Sequence, residues 1–143
     1  MKLVFLGVIS LMLNTTTQAG DDQADSKALQ GTWLPASAEL AGKPFPEQFR
    51  KSLKLNIKDD RYTVMAEQKD EGTLKLDAGK TPRTMEIQGT EGPNKGKTIP
   101  AIYKIDGDSL TICYNLSGKD YPTEFKSKPG TKLFLVEYKR EKP

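Results

Sequence analysis

Apolar and polar residues alternate with a period of two along most of the chain beyond residue 29. In one run, Leu53, Leu55 and Ile57 alternate with lysine and asparagine. Because successive side chains of a strand point to opposite faces, this alternation predicts strands with one buried face. Eight such runs can be distinguished, at residues 30–40, 53–58, 62–66, 71–77, 84–88, 98–105, 110–114 and 133–140.

Most segments between these runs are short and rich in turn-forming residues. Residues 106–109, DGDS, predict a tight hairpin because aspartate and glycine tolerate positive φ angles. Residues 46–52 predict one or two helical turns, with Pro46 near the start. The pattern therefore predicts an all-β fold, a single eight-stranded antiparallel up-and-down barrel with one short helix after the first strand. A two-sheet β-sandwich is the alternative, because periodicity does not distinguish the two.

The first residues have the pattern of a secretory signal peptide. Lys2 supplies a positive charge, and residues 3–13 form an apolar run that is shorter than the roughly 20 residues needed to span a bilayer. We expect cleavage after Ala19, a secreted or periplasmic location, and no membrane span in the mature protein; an uncleaved anchor is the alternative. The chain is thus predicted to consist of a signal peptide (1–19), a flexible polar leader (20–28) and one barrel domain (29–143).

Composition and charge narrow the functional classes. Cys113 is the only cysteine, so no internal disulfide can form, and we expect this thiol to be buried and inert. An intermolecular disulfide is the alternative. The net charge is +3, and the basic residues are interleaved with acidic ones instead of clustering, which argues against nucleic-acid binding. We expect a monomer.

Candidate chemistry is sparse. The chain contains no histidine, which removes the commonest general base and the usual zinc ligand. The acidic residues of the predicted turns are what tight turns demand, so we assign no Ca²⁺ site to them. Glu71, Asp120 and Glu124 are carboxylates that a hydrolase could use, but no spacing singles them out. Residues 92–97, GPNKGK, lack the spacing of a phosphate-binding loop and predict a loop at the barrel mouth. We assign no catalytic, cofactor-binding or metal-binding residue.

Three tyrosines are the most interesting polar groups of the predicted barrel. Tyr62, Tyr103 and Tyr114 share the parity of the aliphatic residues in their strands. Each could carry a hydroxyl into the interior, where it needs a hydrogen-bond partner or water. The three are therefore candidates for a ligand pocket, and ordinary core tyrosines are the alternative.

Gly31 and Trp33 begin the first predicted strand, and Arg140 ends the last one. This arrangement resembles the calycin superfamily, which includes the lipocalins. The resemblance implies that Trp33 closes one end of the barrel and that Arg140, or alternatively Lys139, lies across its ring. We prefer the arginine because a guanidinium stacks on an indole better than an ammonium does. A glycine at position 31 would let neighbouring backbone approach the ring.

Several longer phrases follow one another along nearly the whole mature chain: LQGTW, GKPFPEQF, LNIKDDRYTV, EGTLKLD, GPNKGKTIPAIYKIDGDSLTICY and PTEFKSKPGTKLFLVEYKRE. Together they resemble a family of uncharacterised exported proteins abundant in planctomycete bacteria. The resemblance implies export and a lipocalin-like barrel. It implies no activity and no catalytic residues.

These observations favour an exported, lipocalin-like and non-catalytic binding protein. Its partner would be a small apolar or amphipathic ligand in the barrel, or an envelope protein that contacts the loops. One alternative is a filled barrel that acts as an envelope interaction or inhibitor module. Another is a carboxylate-dependent hydrolase.

Overall fold

The computed structural model describes residues 18–142. The predicted signal peptide lies outside the described residues except for positions 18 and 19. The helices and strands follow in the order α1 (Gln18–Leu29), β1 (Gly31–Leu40), β2 (Lys43–Pro44), α2 (Glu47–Lys51), β3 (Lys54–Lys58), β4 (Arg61–Met65), β5 (Asp70–Asp77), β6 (Arg83–Glu91), β7 (Thr98–Asp106), β8 (Ser109–Asn115) and β9 (Leu133–Arg140).

The strands form a closed antiparallel barrel. Strand β1 pairs with β3, each later strand pairs with the next, and β9 returns to pair with β1. In that last pair Trp33 is the partner of Arg140, and Leu40 is the partner of Phe134. The short β2 adds a ninth strand on the far half of β1. The predicted eight-stranded barrel with one short helix after the first strand is confirmed, because the β1–β9 pairing excludes an open two-sheet sandwich.

The alternating apolar residues supply the core. Inward positions of successive strands are buried together in one cluster, which includes Leu55, Ile57, Met85, Ala101, Ile112 and Val136. Cys113 is also fully buried, as predicted, and burial raises the pKa of its thiol. Period-two burial of this kind is expected of a closed barrel, because interior-facing and exterior-facing residues alternate along every strand.

Helix α1 covers one end of the barrel, where β1 begins; we call this the closed end and the opposite one the open end. Residues 20–28 are predicted from the sequence to form a flexible leader, but they belong to this helix. Leu29 is buried, Asp22 accepts a hydrogen bond from the backbone N–H of Ala78, and Asp25 pairs with Arg83. These anchors are largely polar and distant in sequence, so hydrophobic periodicity gave no sign of them.

Trp33 and Arg140 complete the closed end. The indole is fully buried, and its Nε1 donates a hydrogen bond of 2.9 Å to the carbonyl oxygen of Leu29. The Cζ atom of Arg140 lies 4.2 Å from the ring centroid. The same guanidinium donates to the carbonyl oxygens of Ala28 and Gln30, which are carbonyls that the end of α1 leaves without helical partners. One side chain therefore links the ring, the last strand and the helix.

Gly31 makes room for this stack. Its φ angle is +121°, a conformation that side chains rarely adopt. A Cβ atom at this position would lie 3.1 Å from Nη1 of Arg140. A larger residue would therefore be strained and would press on the guanidinium.

We expect Arg140→Met to lower the free energy of unfolding by about 2–4 kcal/mol. The variant loses a cation–π contact and leaves backbone carbonyls without their charged donor. The measurement is urea denaturation of the purified protein. Lys139→Met is the matched control, because Lys139 is exposed and its ammonium donates a hydrogen bond to the Ser109 hydroxyl at the surface. It should change stability by less than about 0.5 kcal/mol. Equal losses in the two variants would contradict the role assigned to Arg140.

Candidate functional site

The barrel interior contains a cavity of about 250 Å³ towards its open end. Its wall comes from inward residues of β3 to β9, and its rim includes Ala66, Gln68, Pro93 and Leu116, which are exposed. The wall is mainly apolar and includes Leu55, Ile57, Val64, Met85, Ile87 and Ile112. The interior is therefore filled near Trp33 and hollow further along the axis.

A buried carboxylate lies at one side of this cavity. Asp70, the first residue of β5, is only 8% exposed. Its Oδ2 accepts hydrogen bonds from the Tyr62 hydroxyl at 3.3 Å and from Nδ2 of Asn94 at 2.9 Å. Its Oδ1 accepts one from the backbone N–H of Asn94 at 3.2 Å. All three residues line the cavity, and we refer to them as the Asp70 cluster.

Glycines allow the Asp70 cluster to form. A Cβ atom at Gly72 would lie 2.6 Å from Cε1 of Tyr62, and one at Gly89 would lie within 2 Å of the carbonyl oxygen of Asn94. A bulge in the β5–β6 pairing lies at Glu71 and Gly72. Bulges typically redirect a side chain or end a ladder, and here the irregularity directly follows Asp70. Gly72 and Gly89 therefore allow the loop after β6 to pack against the start of β5.

A pair of tyrosines forms a second polar group in the cavity wall. The hydroxyl oxygens of Tyr114 and Tyr138 lie 2.8 Å apart and share a hydrogen bond. Burial raises the pKa of Tyr138 to about 12, which the hydrogen bond with Tyr114 opposes, and burial raises the pKa of Tyr114 as well. Both hydroxyls therefore stay protonated at neutral pH, and each oxygen keeps lone pairs that can accept a further hydrogen bond.

Two of the three predicted tyrosines, Tyr62 and Tyr114, line the cavity, and Tyr103 does not. The Tyr103 hydroxyl points to the closed end and donates a 2.7 Å hydrogen bond to Asp25. Parity placed all three inside the barrel correctly, but it carries no information on position along the barrel axis. Sequence reasoning missed Asp70 and Tyr138; for Tyr138 the alternation with Val136 was a usable signal.

The carboxylates considered for hydrolysis lie elsewhere. Glu71 pairs with Lys69 and Glu124 with Lys126, and neither they nor Asp120 line the cavity. Across residues 18–142 the structure contains no group of three or more cysteine, aspartate and glutamate side chains arranged to hold a metal ion. Within the same range, no helix is long and apolar enough to cross a membrane.

Comparisons with known proteins found no match: no protein-family model, no curated protein and no solved structure is significantly similar to this chain.

Tyrosine burial predicts loss of stability at high pH. Burial raises the pKa of Tyr62, Tyr103, Tyr114 and Tyr138, with the charges of Asp70 and Asp25 adding to the effect at Tyr62 and Tyr103. Since the unfolded chain ionises at a pKa of about 10, the stabilisation is complete below that pH and is lost as the pH rises above it. Each tyrosine should contribute about 1.4 kcal/mol per pH unit above about pH 10.

Urea denaturation at about pH 9 and about pH 11 measures this effect, with phenolate absorbance followed in the folded protein. In Tyr138→Phe, the free energy of unfolding should fall less steeply with pH, by the contribution of one tyrosine, about 1.4 kcal/mol per pH unit. Ionisation of most tyrosines of the folded protein near pH 10 would contradict this prediction.

Proposed function

We propose that this chain is an exported, lipocalin-like and non-catalytic binding protein that holds a small apolar or amphipathic ligand in the cavity at the open end. The observation that carries the proposal is the cavity itself, about 250 Å³ in volume, apolar over most of its wall and supplied with polar groups at two places. Small-molecule sites in proteins have this composition. Export is supported by the signal-peptide pattern of residues 1–19.

Reversible burial would supply the binding free energy. Apolar surface removed from water contributes about 25 cal/mol per Å², and the aliphatic wall offers that contact on several sides. The Asp70 cluster and the Tyr114–Tyr138 pair would fix the orientation of a ligand's polar end. A cavity of about 150 Å³ can hold benzene, so this larger one suits a ring with a short polar side chain.

The alternatives have less support. A filled barrel that acts only through its outer surface does not need a hollow with buried polar groups. A carboxylate hydrolase of the glycosidase type needs two facing carboxyl groups. Among the described residues that line the cavity, only Asp70 is a carboxylate.

A cavity-filling variant tests the proposal. Val64 lines the cavity, whereas Thr63 precedes it on the opposite face of β4. The protein, Val64→Phe and Thr63→Phe are purified gently from the native host and compared by native mass spectrometry before and after denaturation. We expect a released stoichiometric small molecule from the protein and from Thr63→Phe, and about tenfold less from Val64→Phe, because overpacking fills its space.

Equal release from both variants would place the ligand outside the cavity. Protein that carries no small molecule, and that also fails to bind the aromatic probes described below, would refute the carrier role and favour the interaction-module alternative.

A further inference from the structure

We propose that the open-end cavity selects a cation, namely a protonated amine or amidine on a small apolar body, whose charge is placed against the Asp70 carboxylate. This inference rests on the proposed function, since it takes the cavity as a ligand site. It adds the chemical class of the ligand and the residue that recognises it.

The charge of Asp70 is solvated by the protein but is not neutralised by it. Its three hydrogen-bond donors are the Tyr62 hydroxyl, the backbone N–H of Asn94 and the side-chain amide of Asn94, all of them uncharged. Among residues 18–142, no lysine or arginine forms an ion pair with it. A buried charge normally needs an opposite charge as well as hydrogen bonds.

Asp25 provides an internal comparison. It is buried to the same extent as Asp70, 8% exposed, and it also accepts a hydrogen bond from a tyrosine hydroxyl. At Asp25, however, Nη1 of Arg83 lies 2.9 Å from Oδ1 and supplies the opposite charge. The chain therefore neutralises its buried carboxylate at the closed end and leaves the one beside the cavity without a cationic partner.

Acceptor capacity remains for a ligand. A carboxylate offers about four acceptor positions, and the three hydrogen bonds to Asp70 leave Oδ1 with a single donor. An ammonium group has three donors, of which one could use Oδ1. Tyr114 and Tyr138 line the same cavity, and their hydroxyl oxygens keep acceptor positions for other polar groups of a ligand. A carboxylate ligand would meet like charge and have no cationic residue in the wall to balance it.

Three probes of similar size test the inference on the mature protein at neutral pH. Calorimetric titration compares 2-phenylethylamine, which is cationic, with 2-phenylethanol, which is neutral, and phenylacetate, which is anionic. We expect the amine to bind about tenfold or more tightly than the alcohol, since a charged hydrogen bond replaces a neutral one, and phenylacetate to bind weakest.

Two variants assign the preference to its residue. In Asp70→Asn the amine-to-alcohol affinity ratio should fall to about one. In Glu71→Gln the ratio should stay as in the unmodified protein, because this control also removes one negative charge, one position away, but does not line the cavity. Thermal unfolding of each variant checks that it is folded.

The outcomes separate the two proposals. Alcohol binding with no preference for the amine would overturn the cation inference and leave the ligand site standing. A preference that survives in folded Asp70→Asn would overturn the role of Asp70. Failure of all three probes to bind counts against the proposed function and removes this inference with it. The ratio in the unmodified protein decides the ligand class even where Asp70→Asn does not fold.

Discussion

The stack of Arg140 on Trp33 is the contact on which the rest of this barrel depends. It joins β9 to β1, the pairing that closes the sheet and leaves the eight barrel strands without open edges. The same guanidinium holds the last carbonyls of α1 over the barrel end, and the indole donates to that helix as well. The Arg140 side chain therefore contributes to the closure of the barrel, to the exclusion of water from the closed end and to the position of α1. The glycine at position 31 follows from this arrangement, since a Cβ atom there would press on the guanidinium.

Because the closed end of the barrel is well packed, the interior at the open end can contain a cavity. Near Trp33 the interior is filled by large side chains, and the polar contacts there are satisfied within the protein. Towards the open end the aliphatic wall encloses about 250 Å³, and two of its polar residues, Asp70 and Asn94, lie at a strand start and in a loop. This division fits a general rule for binding sites, which place adaptable loop residues on a rigid scaffold. Asn94 is an example, because it lies in the loop after β6 and donates a hydrogen bond to Asp70. Gly89 and Gly92 leave room for this approach, since a Cβ atom at either position would clash with nearby backbone.

The strands could be predicted from sequence because their signal is local. The alternation at Leu53, Leu55 and Ile57 reports one buried face directly, and the eight-stranded barrel follows from the count and the turns. Helix α1 could not be predicted, because polar contacts with distant strands hold it instead of an apolar stripe. The tyrosines mark the intermediate case: period two places Tyr103 inside the barrel, but only the register of β7 against its neighbours shows that it lies at the closed end. Asp70 had no signal at all, since an acidic residue at a strand start usually faces water.

The two buried aspartates differ in how the protein compensates their charge. Asp25 has a guanidinium partner, so its charge contributes to holding α1 and is costly only if that partner is removed. Asp70 is surrounded by neutral donors, an arrangement that retains a buried charge without giving it a cation. A fold selected for stability alone has little reason to keep such a group beside an apolar cavity, because a hydrophobic residue of similar size often serves as well. Departures of this kind from the rules of packing are expected where a protein has a function to perform. The cost of burying Asp70 is therefore best understood together with the ligand that we propose to balance it.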